Sequence, residues 1–128
     1  MRIERVLHVQ LMIPAGREDE ARAFYCGLLG LHEIDKPEVL KRRGGLWLEQ
    51  DDFQIHLGAE KYFADRSERR EHVAFLVDNL EDARKTLAAA AIEIKDGDQI
   101  PGHRRFEFRD PFGNRLEFLT ISDRALGS

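Results

Sequence analysis

Three histidines and one glutamate fall at matching places of a sequence that repeats itself once. His8 sits in Leu7-His8-Val9-Gln10-Leu11 and His72 in His72-Val73-Ala74-Phe75-Leu76, each opening one copy. His56 sits in Gln54-Ile55-His56-Leu57 and Glu117 in Arg115-Leu116-Glu117-Phe118, each near the end of its copy. In three of these stretches polar and apolar residues alternate, and in the fourth His72 shares a face with Ala74 and Leu76, so on a strand each of the four groups stands opposite an apolar face. A lone strand histidine is more often structural, and a lone strand glutamate more often exposed. Four common ligand types at equivalent places of a repeat should instead converge on one pocket, which points to a divalent-metal site. Imidazole-rich sets suit transition metals, so zinc, nickel, iron, cobalt and manganese stay open. Three neutral imidazoles and one carboxylate leave a divalent ion a single net positive charge. Such an ion is a Lewis acid for a developing oxyanion, an enediolate or a bound water, provided one coordination position stays open.

Other side chains belong around such a pocket. Gln10 shares the face of His8, and Trp47 offers an apolar wall or a core residue. Arg105, Glu107 and Arg109 share one face of a strand. If that face is the concave one, Arg105 suits a substrate carboxylate or phosphate and Glu107 an auxiliary acid or base. His103 follows Pro101-Gly102 and reads as a loop residue at a pocket mouth; His32 reads as surface. Cys26 lies beside a helical stripe and reads as partly buried rather than nucleophilic. No Ser-His-Asp arrangement, P-loop or dinucleotide fingerprint is present.

The elements that must position these groups come in the same order twice. Val6–Ile13 reads as a half-buried strand, broken by Pro14 and Gly16. Arg17–Leu29 reads as a helix with the stripe Ala21, Phe24, Tyr25, Leu28 and Leu29 and an acidic first turn, stopped by Gly30. Leu31–Ile34 is a short strand and Lys36–Gly45 a loop. Leu46–Glu49 and Phe53–Leu57 form a hairpin around Asp51-Asp52. The most charged stretch, Glu60–Glu71, mixes both signs and reads as a solvated connector. The pattern then restarts. Val73, Phe75 and Val77 form a strand face, and Asn79 caps a helix with the stripe Leu80, Ala83, Leu87 and Ala90 or Ala91. Ile92–Lys95 is a short strand and Gly97–Gly102 a loop. Arg105–Arg109 and Arg115–Leu119 form a hairpin around Asp110-Pro111-Phe112-Gly113-Asn114.

The expected fold class is therefore α+β, with two βαβββ repeats forming a curved mixed sheet around a concave site. One domain, residues 1–128, would comprise modules at about 3–59 and 71–121 joined by a connector at 60–70. The chain of 128 residues is 42% hydrophobic and 34% charged, enough for one folded domain without disulfide staples. A net charge of −4 argues against a nucleic-acid binder, and no apolar run is long enough for a membrane span. One cysteine excludes an intrachain disulfide and a cysteine-based zinc site. The start of the chain carries no signal-peptide pattern, so a cytoplasmic location is expected.

Four stretches carry a resemblance to the vicinal oxygen chelate superfamily over about residues 3–121. They are Leu7–Leu11, Ala23-Phe24-Tyr25 with Leu28-Leu29-Gly30-Leu31, His72–Asp78, and Asp110–Phe118. That superfamily includes glyoxalase I, extradiol dioxygenases, methylmalonyl-CoA epimerase, fosfomycin thiol transferases and bleomycin-binding resistance proteins. The resemblance implies metal ligands at His8, His56, His72 and Glu117. It implies a homodimer in which His8 and His56 of one chain meet His72 and Glu117 of the other, an arrangement that would also cover open sheet edges. Glyoxalase I and the epimerases usually carry Glu or Gln where His56 stands, so the base is either His56 or Glu117 released from the metal. The fosfomycin transferases match at His8, His72 and Glu117 but place Thr where Gln10 stands. The function so implied is metal-dependent, glyoxalase-like lyase or isomerase chemistry on a small substrate with vicinal oxygens. The alternatives are a thiol transferase or dioxygenase of the same superfamily, or a non-catalytic protein that sequesters small molecules, as the bleomycin-resistance type does. Metal content separates catalyst from sequestering protein.

Overall fold

The computed structural model describes residues 1–98 and 100–122. Gln99, inside the expected Gly97–Gly102 loop, lies outside the described residues. The chain divides into two compact units, one of residues 1–65 and one beginning at Arg66.

The first unit is a four-stranded mixed sheet. Its strands are β1 (His8–Pro14), β2 (His32–Ile34), β3 (Leu46–Gln50) and β4 (Phe53–Glu60), in the order β1-β4-β3-β2. β1 runs parallel to β4, and the other neighbours are antiparallel. The expected strand start at Val6 is corrected to His8. β4 begins at Phe53 after the Asp51-Asp52 turn and pairs Gln54 with His8, which leaves Val6 and Leu7 exposed ahead of the ladder. Alternation sorts the faces. Val9, Ile55 and Leu48 stand in one row and Leu11, Leu57 and Leu46 in the next. Together with Ile13 and the helical Ala21, Phe24 and Tyr25, the buried members of these rows make the unit's core.

The expected helix over Arg17–Leu29 is present but changes pitch. Helix α1 covers Glu18–Arg22, and Ala23–Leu28 continues as a π-helix in which the Leu29 N–H donates to the Phe24 carbonyl five residues back. The wider turn lets the adjacent Phe24 and Tyr25 both point inward, which apolar spacing alone does not distinguish from an α-helix. Gly30 adopts a positive φ of 83°, as expected of a helix stop. The expected Lys36–Gly45 loop contains a 3₁₀ helix at Glu38–Arg43, started by Pro37 and lacking any apolar period to announce it.

The second unit repeats the topology with β5 (His72–Leu76), β6 (Lys95–Asp96), β7 (His103–Arg109) and β8 (Arg115–Ile121), in the order β5-β8-β7-β6. β5 is parallel to β8. Helix α2 (Leu80–Ala89) starts where Asn79 accepts a 3.0 Å bond from the Asp82 N–H, as expected of an N-cap. Ala90 and Ala91 fall beyond its end and are exposed, because the chain turns left-handed at Ala91 and the Ile92 N–H closes on Leu87. The expected Ile92–Lys95 strand shifts to the two residues Lys95 and Asp96, the pair that meets Glu107 and Phe106. The core is aromatic: Phe108 and Phe118 pack at 4.8 Å, Phe106 and Phe118 at 5.9 Å, and Leu116 is fully buried.

The hairpin turn of this unit is built around Asp110. Its Oδ1 accepts from the N–H groups of Phe112 at 2.9 Å and Asn114 at 2.8 Å, and its Oδ2 accepts from the Asn114 amide at 2.8 Å. No helix among the described residues is long and apolar enough to cross a membrane.

Candidate functional site

In the first unit, the face opposite the core carries two cross-strand rows, Glu49–Gln54–His8 and Trp47–His56–Gln10. His56 is buried between two rings. Trp47 stacks on one side at 4.0 Å with planes 7° apart, and His8 stacks at 3.9 Å with planes 15° apart. His56 Nε2 lies 2.8 Å from the Gln54 side-chain oxygen. An amide oxygen only accepts, so Nε2 carries the proton and Nδ1 holds the lone pair. Burial, with the neighbouring His8, lowers the pKa of His56, which keeps the ring neutral at neutral pH. These rings line an open concavity of about 740 Å³, whose walls also include Gln10, Met12, Lys36 and Arg43.

In the second unit, the corresponding face carries the rows His72–Arg115–Arg109, Ala74–Glu117–Glu107 and Leu76–Leu119–Arg105. His72 Nδ1 lies 3.0 Å from the Arg70 carbonyl, so Nδ1 donates and Nε2 offers its lone pair. That Nε2 lies 3.9 Å from Glu117 Oε1. Glu107 and Glu117 are directly opposite, an unfavourable like-charge pair that two diagonal arginines neutralise. Arg105 donates from Nε at 3.0 Å to Oε1 of the buried Glu117 and holds Nη2 at 3.0 Å from the same oxygen in an ion pair, while Arg115 bonds Glu107.

The donor set can be tested against a metal ion. His72 Nε2 and Glu117 Oε1 face each other from two adjacent strands. Ligand atoms about 2.0–2.2 Å from a shared ion stand roughly 3–4 Å apart, which this pair meets. Fixing of the His72 tautomer by a backbone carbonyl is the outer support that ligating histidines use. His8 and His56 are brought together, but as a stack. An ion lies in the plane of the imidazole that binds it, and two nearly parallel rings do not share one ion until one of them turns. His8 is exposed and has the room to do so. Among the described residues, no three His, Cys, Asp or Glu side chains gather around one point.

Arg105 and Glu107 were expected at the substrate; the structure engages both in ion pairs with Glu117 and Arg115. Gln10 stands exposed beside the imidazoles, and Trp47 is the ring under His56 rather than a separate wall. His103 is corrected from a loop to the first residue of β7, because its partner β8 extends to Ile121. His32 is exposed. Cys26 is half-buried, and burial pushes its thiol pKa up, away from a reactive thiolate. Gln54 and Arg115 each lie two positions before a site residue, on the polar strand face the sequence assigns them; it gives them no role, and the structure makes them the partners of His56 and Glu107.

The family model described as Glyoxalase/Bleomycin resistance protein/Dioxygenase superfamily matches residues 5–118. The chain belongs to that superfamily. A glyoxalase-family protein from Bacillus anthracis is 42% identical, with a TM-score of 0.87 over 95% of this chain and 100% of the other. A glyoxalase/dioxygenase from Nostoc punctiforme shares the fold at 22% identity and a TM-score of 0.77, covering 93% of this chain and 92% of the other. The genomically encoded fosfomycin resistance protein FosX of Listeria monocytogenes shares it at 16% identity and a TM-score of 0.75, covering 97% and 98%. A search of curated proteins finds no match. The superfamily's βαβββ fold is the architecture described above for both units.

Proposed function

We propose that this superfamily member is a cytoplasmic, metal-dependent enzyme with glyoxalase-like lyase or isomerase chemistry on a small substrate bearing vicinal oxygens. The observation that carries the reading is the His72–Glu117 pair, with the histidine tautomer fixed by Arg70 and its free Nε2 turned to the carboxylate. His72, Glu117 and His8 would hold a divalent transition metal, with His56 as either a fourth ligand or a base. The two modules would act as one domain, and in a homodimer the first pair of one chain would meet the second pair of its partner. When bound, the ion supplies Lewis-acid polarisation of the substrate's two oxygens. His56 supplies the proton acceptor: it is neutral at neutral pH, its Nδ1 lone pair is available, and Gln54 and Trp47 fix its orientation. Trp47 excludes water from one face of that ring, and Gln10 stands within the same concavity to orient a polar substrate group.

A second reading, a non-catalytic small-molecule binder, draws on the Trp47–His56–His8 stack, whose outer ring face offers a platform for a planar ligand. Elemental analysis of the purified chain separates the two. The enzyme reading expects about one transition-metal ion per chain, lost in a His8→Ala, Glu117→Ala double variant. Failure of both proteins to take up zinc, nickel, iron, cobalt or manganese would overturn it in favour of the binder.

A further inference from the structure

We infer that Arg105 is the resident cation of Glu117, held on its carboxylate by Gly97 and Asp98, and that a divalent ion binding at His72 and Glu117 must take Oε1 from it. This rests on the metal-binding reading above. Glu117 is buried, with 8% of its surface exposed, and a buried carboxylate needs a compensating charge. Arg105 supplies it with one Nε hydrogen bond and a close Nη2 contact on one oxygen, the same oxygen that faces His72 Nε2. The guanidinium is anchored from behind, where Nη1 donates at 3.1 Å to the Asp98 carbonyl. The neighbouring Gly97 explains how the loop lies so close. A Cβ at position 97 would come within 2.5 Å of Nη1, 2.6 Å of Cζ and 2.8 Å of Nη2. A side chain at position 97 would displace the guanidinium from the place where it meets Glu117, and glycine leaves that place open. Arg115 offers no substitute, because it is committed to Glu107 on the adjacent row.

The consequence is competition. A divalent ion and a guanidinium repel each other at this range, so the arginine that neutralises the carboxylate in the metal-free protein opposes metal entry. Arg105 therefore sets how tightly the site holds its ion, and the loop carrying Gly97 and Asp98 sets the position of Arg105.

Zinc binding to the full chain, measured by titration calorimetry, tests this in wild type, Arg105→Gln and Gly97→Ala. Arg105→Gln is expected to bind zinc roughly tenfold more tightly, the scale on which outer partners tune a ligand. Gly97→Ala keeps the charge but displaces the guanidinium, and is expected to shift affinity in the same direction by less. In a Glu117→Gln background, Arg105→Gln should change nothing. Equal or weaker zinc binding by Arg105→Gln overturns the inference while leaving the metal site standing; if that variant does not fold, Gly97→Ala decides by the same criterion. No zinc binding by any protein, wild type included, overturns both this inference and the function on which it rests.

Discussion

The indole of Trp47 and the imidazole of His56 lie face to face, centroids 4.0 Å apart, on paired residues of neighbouring strands. The contact joins a candidate base to the chain's single tryptophan, so the ionisation of one is reported by the emission of the other.

Burial and the adjacent His8 lower the His56 pKa below its ordinary 6.5. The folded protein therefore binds this proton less readily than the unfolded chain. The stability this contributes is complete above about pH 6.5 and is lost as the pH falls below that value through the folded pKa. Metal-free protein in chelator is expected to lose thermal stability over that window, with a matching change in Trp47 fluorescence. His56→Gln should flatten both curves. An unchanged slope in the variant would remove His56 as the titrating group.

Asp110 concentrates the second unit's hairpin on one buried carboxylate. Asp110→Ala strands the N–H groups of Phe112 and Asn114 and should destabilise the chain by about 3 kcal/mol, whereas Asp110→Asn keeps one acceptor and should cost about half as much. Urea unfolding midpoints at constant slope check the ranking, and equal losses would contradict it.

Gly45 and Gly16 both adopt positive φ, 82° and 86°, but only one of them is crowded. A Cβ at Gly45 would strike the Leu57 carbonyl oxygen, while one at Gly16 meets nothing within 4 Å. Gly16→Ala should cost only the left-handed backbone term of about 1 kcal/mol. Gly45→Ala adds a collision with β4 at the start of β3 and should cost about 3 kcal/mol or more. Thermal melts of the two variants compare them directly, and equal melting temperatures would refute the packing argument.

What was legible in the sequence follows from periodicity. Period-two alternation in Val9–Ile13 and Val73–Phe75 assigned the strand faces, and with them the side on which His8, His56, His72 and Glu117 stand. Asn79 and Gly30 were readable because capping and left-handed stops depend on local chemistry. The π-helix at Ala23–Leu28 was not, since apolar spacing does not separate pitches so close. Nor was the partner of Arg105. Its strand face was plain, but whether a guanidinium meets substrate or a neighbouring carboxylate depends on the diagonal geometry of two strands and on the backbone at Gly97, neither of which leaves a trace in local pattern.

In each unit the candidate ligands sit on the first and last strands, joined by a parallel ladder that pairs His8 with Gln54 and His72 with Arg115. Parallel pairing across an intervening helix and two strands is non-local, so loop-closure entropy must be overcome before the ladder gains anything. Neither ligand pair can exist in a partly synthesised unit: His8 has no neighbour until β4 has emerged, and His72 none until β8 has. Under the proposed metal-binding function, capture of an ion would be deferred until a unit has closed, since the nascent chain would show the ion only isolated side chains.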